Sequence, residues 1–151
     1  MKSIYAASIV LITISSAPAD AAWQYTKWGM TVAQAQKASK GVATPTNGQT
    51  IDGETVELTA PYASGSFKFT ASFWFDQSGR LTSVGLDLVS GDYHELVGAL
   101  RGKYGEPVNH TPGYIDAYMW RTATDQIGLM NNGQKINLTY SPRVTASGKG
   151  L

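Results

Sequence analysis

Residues 67–75 read FKFTASFWF, and the six that follow read DQSGRL. Phe67, Phe69, Ala71, Phe73 and Phe75 share one parity, while Lys68, Thr70, Ser72 and Trp74 take the other. Successive side chains of a strand point to opposite faces, so this alternation predicts a half-buried β-strand with an aromatic wall inside and a polar face outside. Each phenylalanine of the wall is worth about 2 kcal/mol of burial. Trp74 breaks the pattern, and the parity predicts it on the open, polar side of the sheet.

The neighbouring segments extend the strand into a sheet. Upstream, ETVELTAPY alternates Val56 and Leu58 against Thr55, Glu57 and Thr59, and Ala63-Ser64-Gly65 supplies a turn. Downstream, Gln77-Ser78-Gly79 turns the chain into RLTSVGLDLV, with Val84, Leu86 and Leu88 on one face. Three such strands joined by short turns predict an antiparallel meander. A second meander is expected from AYMWRTA, QIGLM and QKINLTYSP, with Asn132-Gly133 as a type I′ turn between the last two. Trp120 reads as a core residue of that half.

Two helices complete the pattern. Thr31 and Gln34 make a capping box and Gly41 a stop, predicting a helix over about 32–40. Asp92 with Glu95 opens a second, in which Tyr93, Leu96, Val97, Leu100 and Tyr104 fall on one stripe before Gly105 and Pro107 end it. The stretches ATPTNGQTIDG and NHTPGY read as loops. The expected order is helix, three strands, helix, three strands: an α+β two-layer sandwich, with two helices packed on one face of an antiparallel sheet of about six strands.

The opening MKSIYAASIVLITISSAPADAA has one early lysine, an apolar run from Ile4 to Ile14 and a small-residue ending at Ala19-Asp20-Ala21. This is the layout of a signal peptide (1–21), implying a periplasmic or secreted protein after cleavage. A single domain is expected over 22–143, with a flexible tail at 144–151. The run is shorter than a membrane span requires. The chain has no cysteine, so a disulfide framework, a cysteine metal site and a lipid-bearing cysteine are all excluded. The formal charge is +1 without a basic run, which gives no nucleic-acid footprint.

Chemistry-bearing motifs are sparse. There is no G-x-S-x-G elbow, P-loop or dinucleotide fingerprint, so no cofactor and no catalytic residue is expected. Two histidines, His94 in a helix's first turn and His110 in a loop, do not make a metal site. Asp76 reads as a turn residue and Asp92 as a helix cap. Trp23, Tyr25 and Trp28 read as pins holding the start of the domain to its body. What remains is the outer sheet face: a large aromatic amid polar residues is the kind of group that anchors an interface. The candidate binding residues are Trp74, Lys68, Thr70, Glu57 and Asp87.

Trp28-Gly29-Met30-Thr31 at the first helix, Phe75-Asp76 through Gly79-Arg80-Leu81, and Leu100 through Lys103-Tyr104-Gly105-Glu106-Pro107 resemble segments of small secreted proteins of Gram-negative bacteria. The plan is also similar to the BamE/SmpA and β-lactamase-inhibitor-protein-like folds. That resemblance implies helices on one sheet face and a protein partner on the other. BamE-type members carry an acylated cysteine, which this chain lacks. The expectation is therefore a non-enzymatic binding module, an inhibitor or envelope accessory factor, acting as monomer or homodimer on a periplasmic or envelope protein. The alternative is a binder of small ligands or cell-wall fragments, or a weak hydrolase, using a cleft between the sheet and the loops at 42–53 and 106–116.

Overall fold

A computed structural model describes residues 23–144. The expected signal peptide and the expected tail beyond Val144 lie outside the described residues. The elements run α1 (Val32–Ala38), β1 (Thr44–Pro45), β2 (Thr50–Ile51), β3 (Glu54–Ser64), β4 (Phe67–Phe75), β5 (Leu81–Ser90), α2 (Tyr93–Tyr104), β6 (Asn109–Thr111), β7 (Asp116–Arg121), β8 (Asp125–Asn131) and β9 (Ile136–Pro142). All strand pairs are antiparallel, in the order β1-β3-β4-β5-β9-β8-β7-β6, with β2 also paired to β3.

The six-strand α+β sandwich is not what forms. Among the described residues the fold is mostly β, with nine strands in one sheet, 48% strand and only 16% helix. The three added strands come from the stretches read as loops. Each is two or three residues long, too short for periodicity to register, and each adds to a longer neighbour, β3 or β7. Nor do two helices suffice as a layer. At 1.5 Å per residue α1 and α2 reach about 10 and 18 Å, against a sheet about 35 Å across at ~4.8 Å per strand step.

The chain upstream of α1 supplies further cover. The Trp23 ring packs edge-on against Tyr62 and Phe73, with centroids 4.9 and 5.7 Å away. Tyr25 stacks on Phe73 at 6.2 Å, and the Trp28 indole donates to Asp125 Oδ1 at 2.7 Å. These three aromatics are the pins their composition suggested. The inner face they share with α1 and α2 carries Leu58, Ala60, Phe69, Ala71, Phe73, Phe75, Val84 and Leu86, all buried, continuing through Leu138, Leu129, Ile127 and Trp120. Trp120 is in the core, its indole N–H donating to the Gly105 carbonyl that ends α2.

Local signals hold at the helix starts. Thr31 and Gln34 form the reciprocal capping box, and Asp92 caps α2 through Glu95 N. Helix α1 stops two residues early because Lys40 and Gly41 both take positive φ. The type I′ turn, which needs positive φ at both central residues, is absent at Asn132-Gly133, where only Gly133 has it. It occurs at Asp52-Gly53 (φ 50° and 83°), linking β2 to β3 across the Ile51–Glu54 pair.

A bulge decides what the outer face looks like. Thr55 opposes Phe75 and Val56 opposes Trp74, but Leu58 opposes Phe73, so Glu57 is the extra residue. Val56 and Leu58, expected on one face, therefore lie on opposite faces. Val56 joins Trp74 on the outer side, where it is nonetheless buried.

Candidate functional site

The segment 46–53 folds back across the outer face and covers Val56. Thr46 N donates to Glu57 O and Val56 N to Gln49 O, both at 3.0 Å. Gly48 lies so close that a Cβ there would collide with the carbonyl and Cβ of Val56. Opposite, the β8–β9 hairpin brings Lys135, Asn137 and Thr139 alongside β5. Between these two walls runs a trough made of two adjoining hollows of about 220 and 360 Å³. Trp74, Gly85, Gln49, Lys135 and Asn137 line both.

Trp74 is half-buried in the floor, beside Gly85 on the neighbouring strand. A Cβ on Gly85 would sit 3.5 Å from Trp74 Nε1 and 3.4 Å from Asn137 Nδ2. Ser72, Thr59 and Ser83 keep the rest of the floor low and hydroxylated. Asp87 is held firmly: Asn137 Nδ2 donates to Oδ1 at 2.7 Å and Lys135 Nζ lies 3.0 Å from Oδ2. Thr139 in turn donates to Asn137 Oδ1 at 2.6 Å, which fixes the amide's orientation. Counting the charged lining residues, Asp52, Glu54 and Asp87 against Lys135 leave a net charge of −2.

The sequence-derived residues are only partly gathered here. Trp74 and Asp87 line the trough. Lys68 and Thr70 are exposed further along β4, opposite Ser90 and Asp87, outside both hollows. Glu57 is the bulge residue and lines neither. Gln49, Lys135 and Asn137 were missed, because their roles depend on a loop folding back and on β9 pairing with β5. The loops at 42–53 and 106–116 carry strands at opposite ends of the sheet order, β1 and β6; the first of them bounds the trough together with the sheet.

A second polar cluster joins three elements at the far edge. His110 on β6 pairs through Nε2 with Asp116 Oδ1 at 2.7 Å, and Tyr93 at the start of α2 donates to Oδ2 at 2.8 Å. The His110 ring lies flat on Tyr118, 3.9 Å between centroids and 5° between planes. His110 is thus a strand residue, and Asp116 is its diagonal neighbour across the β6–β7 hairpin. Burial alone would raise the Asp116 pKa, but the bonds from His110 and Tyr93 hold it below the ordinary value. Burial and the bond to Asp116 push the Tyr93 phenol well above its own. These bonds tie β6, β7 and the start of α2 together, so the cluster acts as a clamp at this edge. Asp76, as expected, closes a turn, accepting from Ser78 and Arg80 backbone N–H.

Among the described residues no group of three or more His, Asp or Glu could hold a metal, and no helix is long and apolar enough to cross a membrane. Comparison with protein-family models, curated proteins and solved structures finds no match to this chain. The resemblance to the BamE/SmpA and β-lactamase-inhibitor-protein-like plans rests on the three short motifs alone.

Proposed function

We propose that this protein is a binding module, secreted or periplasmic, that receives a segment of another protein in the outer-face trough and performs no chemistry of its own. The observation that carries this reading is the half-buried indole of Trp74, set between two polar walls with a floor of glycine and hydroxyl residues. An aromatic with a partly desolvated face and satisfied polar neighbours is a good contact surface, because little must be reorganised when a partner arrives. The excess of carboxylate favours a partner segment bearing lysine or arginine. An inhibitor or an envelope accessory factor would both fit such a site.

The test is affinity capture from an envelope fraction with wild type and Trp74→Ala side by side, after their thermal midpoints are shown to agree. A specific protein retained only by wild type, and released as salt rises past about 0.15 M where surface charges are screened, is the expected result. Equal retention by both proteins would remove Trp74 from the site.

A further inference from the structure

On the opposite face of the sheet, between α2 and the β3–β4 hairpin, lies a cavity of about 280 Å³ that the trough does not reach. Its walls are Tyr62, Phe67 and Phe69 on one side and Leu96 and Leu100 on the other, over Leu86 and Leu138. Leu96, Ala99, Leu100 and Lys103 are spaced i, i+3, i+4 and i+7, a single stripe of α2. A packed interior leaves few voids larger than a water molecule. This space is near the lower end of ligand-site volumes, roughly 300–1,000 Å³, and shares their lining, mainly apolar with a few polar groups.

The polar groups are unequal in sign. None of the twelve lining residues is acidic, and one, Lys103, is basic. Lys103 is exposed at the mouth with Ser64, Gly65 and Ala99, and its Nζ lies 5.1 Å from the Tyr104 ring centroid. Its neighbour on the helix, Arg101, pairs with Glu106, whereas Lys103 has no carboxylate partner among the described residues. Tyr140 in the lining accepts from the Tyr104 hydroxyl at 3.3 Å and keeps its own hydrogen to donate. We propose that this cavity binds a free medium-chain alkyl carboxylate, its chain lying between α2 and the β3–β4 hairpin and its head group at Lys103.

The test titrates hexanoate, octanoate and decanoate into the protein by calorimetry and by amide chemical shift. Affinity should rise about fourfold per added methylene, which is what ~0.8 kcal/mol per buried CH₂ amounts to, until the cavity is full. Shifts should centre on Phe67, Phe69 and Leu96 and leave Trp74 unmoved. Lys103→Glu should weaken decanoate at least tenfold, and Ala99→Phe, at an exposed helix position beside the mouth, should block it; both substitutions lie on the surface, so the fold remains as a control. Absence of both heat and amide shifts with decanoate, shifts centred on the Trp74 trough, or equal affinity for decyltrimethylammonium would each overturn the proposal. Loss of partner capture in Trp74→Ala bears on the trough alone, and the two sites stand or fall separately.

Discussion

At the scale of single residues, Tyr25 makes a sharp case. Its ring stacks on Phe73, yet its hydroxyl is buried without a hydrogen-bond partner among the described residues, and burial raises its pKa. An unsatisfied buried hydroxyl costs about 1–3 kcal/mol. Tyr25→Phe removes the cost and keeps the ring, so thermal unfolding should show a midpoint unchanged or raised, by up to that amount in free energy. A fall of more than about 1 kcal/mol would show that the hydroxyl is hydrogen-bonded after all. Phe73 gives the opposite expectation. It is fully buried against Trp23 and Tyr25, and Phe73→Ala should cost about 3–5 kcal/mol in denaturant unfolding. The inner aromatic wall was legible in FKFTASFWF because two-residue periodicity is a local property. The position of Val56 was not, since T-V-E-L alternates identically with or without a bulge at Glu57, and only the partner strand shows which residue is extra.

At the scale of elements, two small devices shape the surface. The first is the folded-back segment at 46–53, seated by Gly48 on Val56. Gly48→Ala has no room for its methyl, so the segment should lift, costing about 1–3 kcal/mol and raising amide exchange at Thr46 and Val56, whose N–H groups donate across the seat to Glu57 and Gln49. The trough's wall should loosen with it. The second device is the His110–Asp116–Tyr93 clamp. Asp116 has a folded pKa below its ordinary value of 3.8, so its stabilising effect is complete above that value and is lost as pH falls through the lowered one. Protection of amides 109–119 should therefore drop on acidification below about pH 4. In Asp116→Asn the hairpin should already be less protected at neutral pH and should lose that acid response; an unchanged response would assign the transition to another carboxylate. Neither device could be read from sequence. Helix caps are written in four consecutive residues, but a clamp between β6, β7 and α2 joins positions 93, 110 and 116 only after the sheet edge has formed.

At the scale of the whole molecule, both meanders were visible in advance, as runs of alternating residues separated by turns, while the way they join was not. Strand β5 pairs with β9, so the first meander is fused to the second through Val84–Asp87 and Asn137–Tyr140. The outer ends of the sheet are the two-residue β1 and the three-residue β6. Short edges of this kind offer few free N–H and C=O groups to a passing chain.

The place of β9 also governs the order in which the sheet can be completed. Residues 136–142 occupy its middle, so nearly all of the described chain must be available before the two halves meet, and the pairs that unite them lie 50 to 56 residues apart, from Asp87–Asn137 to Val84–Tyr140. Closing so large a loop is slow relative to pairing within a hairpin. During that interval β5 and β9 each present an unpaired side. Folding molecules would then be at their most adhesive shortly before completion, and a chaperone that shields bare strand edges would matter more to the yield of this protein than one that shields helices.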